Sequence, residues 1–192
     1  AGISYGGALA WGMAFEDDGS IQNLILINPM PPNPMKHIQS SALKRLLWLG
    51  RVRSLLSLYM LLPFAYWDFH NVALDIRVEW VHRKPTLTQL FSRRQKMLFY
   101  LIQRFSWVVF SESWTPWLNK FKHVKIPALI IHGGKDRIFR EKQALWIKEN
   151  LKYSRLIELP EANHMAIVSH PKEVFGAIHA YVKNPNGGQL VS

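Results

Sequence analysis

The chain is 192 residues long, 48% hydrophobic and 19% charged, with a mean hydropathy of −0.05. That is enough apolar material for one core, or for a core with an inserted subdomain, and it excludes wholesale disorder. The lack of cysteine excludes disulfides, thiolate metal sites and a cysteine nucleophile without fixing a compartment, while the net charge of +11 points to an anionic surface or substrate.

Within the first six residues, Gly2, Ile3, Ser4, Tyr5 and Gly6 set a serine between glycines. A sharp strand-to-helix turn needs this pattern when it holds a hydroxyl clear of the backbone. Only one residue precedes Gly2, so the strands leading into such a turn are expected from a segment upstream of Ala1. Gly6, Gly7, Ala8 and Ala10 are small enough to let the next helix pack close to a sheet, and Asp17-Asp18-Gly19 reads as its stop. NLILIN (23–28), bounded by PMPPNP, reads as a buried parallel strand.

Residues 36–122 change character: glycine disappears after Gly50 and the periodicity becomes helical. Residues 36–104 hold twelve lysines and arginines against three acids, a net +9. In QLFSRRQKMLFYLIQRFSWVVF, residues Leu90, Phe91, Met97, Leu98, Leu101, Ile102, Phe105, Val108 and Val109 share one helical face. LKRLLWLGRVRSLLSLYMLLPFAYW is apolar on nearly every side. Its longest uncharged run, Ser54 to Trp67, is 14 residues, short of the roughly 20 that span a bilayer. Arg51, Arg53, Arg93 and Lys96 flank or interrupt these runs, which makes an anionic membrane surface an expected peripheral partner. A solvated helical face is the plain alternative.

From residue 126 strands and helices alternate again. IPALIIHGG (126–134) reads as a second strand, EKQALWIKENL (141–151) as a surface helix and SRLIELP (154–160) as a third strand. HPKEVFGAIHAYV follows, with Pro171 in the first turn of a helix and Val174, Phe175, Ile178, Tyr181 and Val182 on one face. In a parallel sheet, functional groups collect beyond the carboxyl ends of the strands. Asp136 stands just past the second strand and His164 just past the third, so both can converge on Ser4. Each has a plain alternative: an inert turn for Ser4, a helix N-cap for Asp136 and a satisfied loop histidine for His164. The other histidines (37, 70, 82, 123, 132, 170 and 179) lack metal-ligand spacing and read as structural or surface groups, so neither metal nor cofactor is expected.

The segments GISYGG, PALIIHGGKDRIF and ELPEANHMAIVSHP, in that order and each in its strand context, resemble the α/β-hydrolase family. The resemblance covers roughly residues 1–30 and 124–183. It implies an α/β fold, the C-terminal part of a parallel sheet, with a core at 1–35 and 123–192 and a helical lid inserted at 36–122. It also implies that the N-terminal segment of the same fold, with the loop supplying half of the oxyanion hole, is a missing partner of this sequence. Residue by residue, it assigns Ser4 as nucleophile, His164 as base, Asp136 as the acid that orients the base, and the Tyr5 backbone N–H as an oxyanion donor. Ala162 stands where the family frequently has glycine. A serine rather than a carboxylate nucleophile disfavours epoxide opening and halide displacement. What remains is acyl transfer to water, and the expected substrate is a small-molecule carboxylic ester. Leu58, Tyr59, Met60, Leu61, Leu62 and Phe64 suit an apolar acyl group. A thioesterase, an acyltransferase and a non-catalytic ligand-binding module stay open as alternatives. Nucleic acid is not an expected partner, because no binding module accompanies the charge.

Overall fold

The computed structural model describes residues 1–76, 93–111 and 114–185. The chain divides into two compact units, Ala1–His37 with Ser113–Ser192, and Ile38–Glu112.

The first unit is built on a four-stranded parallel sheet. Its order is β1 (Gly2–Ile3), β2 (Leu24–Ile27), β3 (Ala128–Gly133) and β4 (Ser154–Leu159). Three of these strands were expected from sequence. The fourth, β1, is only two residues long, too short to leave a periodic pattern, and is held by pairing Gly2 with Leu26 and Ile3 with Ile27. Among the described residues β1 and β4 are the two edge strands of the sheet.

All six residues of β3 are buried, as a strand covered on both faces requires, and this is why ALIIHG runs apolar without alternation. Leu129 and Ile131 pack with Ile27, with Ala166 of α8 (Ala166–Ser169) and with Val174 and Tyr181 of α9 (Pro171–Lys183). Pro171 opens α9, where its missing N–H costs nothing. The buried stripe of α9 is narrower than expected: Phe175 and Val182 are 58% and 56% exposed. Each lies one residue, about 100° of helix, past a buried position, which carries it off the seam.

Helix α1 (Tyr5–Phe15) meets α6 (Trp114–Phe121) through aromatic side chains. Trp117 and Phe121 pack on Trp11 and Phe15 with ring centroids 5.1–5.9 Å apart, and Phe121 also meets Trp146 of α7 (Glu141–Asn150) at 5.4 Å. The Trp11 Nε1–H donates to the Met30 carbonyl at 2.9 Å, which satisfies the one polar atom of a buried indole. This packing holds α6 in the first unit, although its tryptophan-rich composition matches that of residues 36–111.

The second unit is helical. Helices α2 (Ser41–Gly50), α3 (Arg53–Tyr59), α4 (Pro63–Ile76) and α5 (Arg93–Ser111) make it up among the described residues. Ser40 caps α2, its Oγ accepting from the Leu43 N–H at 3.2 Å. Helices α2 and α5 approach closely at Gly50, where a Cβ would fall 2.1 Å from Ser106 Oγ. That contact sets the inward face of α5 around Ser106 and Val109, and Leu101, expected inside, is 55% exposed. Leu90 and Phe91 lie outside the described residues, as do the side chains of Met97 and Leu98. Asp68 is buried in this unit and accepts from the Arg45 guanidinium at 2.6 and 2.9 Å and from the Tyr59 hydroxyl at 2.6 Å. Burial, and then its bond to Asp68, push the Tyr59 phenol up to about 12.

The glycines around Ser4 differ in what they do. A Cβ on Gly2 would lie 2.1 Å from the Gly6 carbonyl oxygen, whereas a Cβ on Gly6 would meet nothing within 4 Å. Gly2→Ala is expected to cost about 1–3 kcal/mol or more by overpacking. Gly6→Ala, inside a helix, is expected to be neutral or to stabilise by up to about 1 kcal/mol. Denaturant unfolding of the two variants checks this ranking, and equal losses would show that Gly6 also answers to sterics.

Candidate active site

Ser4 links β1 to α1 with φ 51° and ψ −118°, a conformation rare outside glycine. Such strain typically costs about 1–3 kcal/mol and persists only when neighbouring bonds over-determine it. Here the Ser4 N–H donates to the Ile27 carbonyl at 3.1 Å, and the Ser4 carbonyl accepts from Met30 N–H at 2.8 Å and Gly7 N–H at 3.0 Å. The backbone of the turn is thus tied to the end of β2 and to the start of its own helix. Tyr5, the first residue of α1, follows directly.

Asp136 sits in the turn after β3. Its N–H donates to the Gly133 carbonyl at 2.9 Å, and its Oδ1 accepts from the N–H groups of Ile138 at 2.7 Å and Phe139 at 3.0 Å. Those bonds fix the carboxylate plane. His164 sits in the loop after β4, which crosses over Gly133 so closely that a Cβ there would lie 2.5 Å from the Asn163 carbonyl oxygen. The Lys135 N–H donates to the Ala162 carbonyl at 2.9 Å, which ties the two loops together. Glycine at 133 is therefore what allows the histidine loop to lie against the aspartate loop.

The structure brings the three sequence-predicted side chains into one line. His164 Nδ1 lies 2.8 Å from Asp136 Oδ2, and His164 Nε2 lies 2.9 Å from Ser4 Oγ. Asp136 and His164 are buried, whereas Ser4 is only partly so. Burial alone would push the Asp136 carboxyl up. The hydrogen bond and charge of His164, with the bonds from Phe139 N–H and Asn28, outweigh it and hold the carboxyl below the usual range. An ionised carboxylate only accepts, so Nδ1 carries the imidazole proton, and Nε2 is left to accept from the Ser4 hydroxyl. The Phe139 ring meets the imidazole edge-on, with centroids 5.6 Å apart.

One residue of this arrangement was not expected from the sequence. Asn28 is fully buried, and its Nδ2 donates to Asp136 Oδ2 at 2.8 Å, the same oxygen that faces His164. Its φ of 42° is left-handed, which asparagine tolerates better than most residues, and its N–H donates to the Ile131 carbonyl at 2.8 Å. Gln143 of α7 supports the following turn by donating to the Pro29 carbonyl at 2.6 Å. A signal for Asn28 was present: it is the first residue beyond a parallel strand, the same kind of position as Asp136. His132, inside β3, is buried, and burial pulls its pKa down despite the nearby Asp136 and Glu141 carboxylates. Among the described residues, no group of three or more His, Asp or Glu side chains could hold a metal ion.

No curated protein matches the chain in sequence. Solved structures match it in fold. A hydrolase from Oleispira antarctica is 15% identical with a TM-score of 0.63, over 95% of this chain and 64% of its own. The 2-hydroxy-6-oxo-6-phenylhexa-2,4-dienoate hydrolase from Rhodococcus sp. strain RHA1 is 15% identical with a TM-score of 0.62, over 95% of this chain and 62% of its own. A protein proposed to be a lipase from Acinetobacter baumannii AYE is 17% identical with a TM-score of 0.67, over 98% of this chain and 61% of its own. The chain thus spans less than two thirds of the length of each. The model of the alpha/beta hydrolase family matches residues 1–177, nearly the whole chain, and it is to this family that the chain belongs.

Proposed function

We propose that the chain carries the reaction centre of a serine hydrolase that cleaves a carboxylic ester with an apolar acyl group, through an acyl-enzyme. The observation that supports this reading most is the unbroken hydrogen-bonded line from Ser4 Oγ through the His164 imidazole to Asp136 Oδ2. A serine hydroxyl is a weak nucleophile until a base takes its proton. In the proposed reaction His164 Nε2 accepts that proton as Ser4 Oγ bonds to the ester carbonyl carbon. The C–O bond to the leaving alcohol then breaks, and His164 returns the proton to the departing oxygen. Water repeats the sequence on the acyl-enzyme, releasing the acid and restoring Ser4. Asp136 keeps the imidazole in the required tautomer and stabilises the imidazolium that forms.

The charge on the tetrahedral intermediate needs donors. The Tyr5 N–H is assigned to that role from its place at the start of α1, directly after the nucleophile. β1 is one of the two edge strands among the described residues, and we assign the second donor to a segment docking along it.

Hydrolysis of p-nitrophenyl esters of increasing chain length tests this. Ser4→Ala and His164→Ala are each expected to lower kcat on the order of 10⁴- to 10⁶-fold, with the double variant scarcely worse than either. Asp136→Asn should cost about 10⁴-fold. Retained turnover in Ser4→Ala would remove the nucleophile assignment.

Asn28 acts in this scheme as a positioning residue for Asp136. Asn28→Gly keeps the left-handed backbone available and removes the side-chain amide with its donor to Asp136. It is expected to lower kcat about 10- to 100-fold through misplacement of the acid and base, with KM little changed. An unchanged kcat would show that the Oδ2 contact is dispensable.

The pH dependence follows from the charge states. His164 must be neutral to act as base, while Asp136 stays ionised to the acid side of the ordinary carboxylate range. kcat/KM should therefore fall toward low pH with a slope of one, as a single proton binds the imidazole. A slope of two would mean that carboxylate and imidazole are protonated together.

A further inference from the structure

The second unit turns an unusual row of side chains outward. Every third residue from Val52 to Trp67 is a large apolar one (Val52, Leu55, Leu58, Leu61, Phe64 and Trp67), and each is at least 43% exposed. Neighbours three apart on a helix lie side by side, which joins Leu55 to Leu58 on α3 and Phe64 to Trp67 on α4, while Val52 and Leu61 precede the two helices. The inward side of the same stretch is used differently: Leu56 and Ala65 are buried, and Tyr59 reaches the buried Asp68. Scattered exposed leucines are ordinary, but six large apolar side chains this exposed between Val52 and Trp67 mark a surface that meets an apolar partner.

The charges beside the row all have one sign. Residues 38–67 contain Lys44, Arg45, Arg51 and Arg53 and no Asp or Glu. The first acid, Asp68, is buried and engaged by Arg45 and Tyr59. Arg51 and Arg53 are exposed on either side of Val52, where the row begins, and Arg51 also stacks over the Phe110 ring at 4.8 Å. No described helix is long and apolar enough to cross a membrane. The combination of a shallow apolar row with a cationic margin fits a helix lying in the plane of a headgroup layer.

We propose that this face of the second unit docks on an anionic lipid surface, with the Val52–Trp67 row at the headgroup–acyl boundary and Arg51 and Arg53 beside lipid phosphates. Charge complementarity selects this occupant. Two copies meeting through the same patch would bring their arginines together with no carboxylate from 38–67 between them. A nucleic acid would satisfy the arginines and leave the apolar row in water. The sequence also pointed to Arg93 and Lys96, but their side chains lie outside the described residues. The proposal does not need Ser4 to be catalytic, since docking uses none of the residues around it, and it gives to lipid the Leu58, Leu61 and Phe64 side chains that the sequence also offered to an acyl group.

Co-sedimentation of the full chain with vesicles tests it. Binding is expected to phosphatidylglycerol-containing vesicles and to be weak on pure phosphatidylcholine, falling as salt screens the arginines. Losing one basic residue at such a surface is worth up to about fivefold in partitioning, so Arg51→Glu with Arg53→Glu should weaken binding by about tenfold or more. Leu58→Ser with Leu61→Ser should also weaken it, and because both leucines face outward these changes leave the fold intact. Ser4→Ala should bind like the unmodified chain. Equal, negligible binding to both kinds of vesicle would overturn the proposal. So would binding untouched by the leucine substitutions, which would reflect net charge alone. A dimer in sedimentation equilibrium that Leu58→Ser with Leu61→Ser disperses, without vesicle binding, would assign the face to self-association instead.

Discussion

Asp136 Oδ2 accepts from Asn28 Nδ2 on one side and faces His164 Nδ1 on the other, each at 2.8 Å, while Oδ1 is held by two backbone N–H groups. A buried carboxylate without such partners would take up a proton; with them it stays charged, and burial makes the charge more effective on the His164 imidazole. The orientation of His164, and hence the direction of its Nε2 toward Ser4, depends on that charge. The same bonds couple the site to stability. Because the folded-state carboxyl titrates below its unfolded value, its ionisation stabilises the fold at and above the ordinary carboxylate range. That contribution is lost as pH falls through the folded value.

The sheet is what allows the three loops to meet. Parallel pairing in the order β1-β2-β3-β4 sends every strand out at the same end, so the residues that follow them share one edge. Asn28 follows β2, Asp136 follows β3 and His164 follows β4, while Ser4 follows β1. Two close approaches then fix the distances. The histidine loop lies against Gly133, and the Ser4 turn lies against β2 through the Ile27 carbonyl. Neither approach leaves room for much adjustment, which is how a single geometry is specified on flexible loops.

Much of this was legible in the sequence. Apolar runs of four to six residues identified β2 and β3, the segment SRLIELP identified β4, and the residues just past two of these strands identified Asp136 and His164. What escaped had physical causes. Strand β1 is two residues long and owes its conformation to pairing with β2, not to a pattern of its own. Asn28 is an amide rather than a titratable group, and its role exists only because β2 and β3 end side by side. Helical periodicity placed α5 and α9 correctly but made their buried faces too wide. Leu101 is outside because the seam of α5 is set by the close contact at Gly50, and Phe175 and Val182 because each lies one residue past a buried position; neither is written in a hydrophobicity pattern. Gly6 looked like part of the steric requirement of the turn, yet it has open space where a side chain would go.

In the proposed reaction Ser4 is made nucleophilic by the line of bonds running through His164 to Asp136. The most direct measurement is the site and rate of reaction with a fluorophosphonate, which forms a stable adduct only on an activated serine, read by mass spectrometry of the digested protein. The adduct is expected on Ser4 and on none of the other serines. Its rate of formation should drop by about two orders of magnitude or more when His164 is replaced by alanine, since the base is then gone. No adduct, an adduct on a different serine, or labelling of Ser4 at the same rate without His164 would contradict the claim.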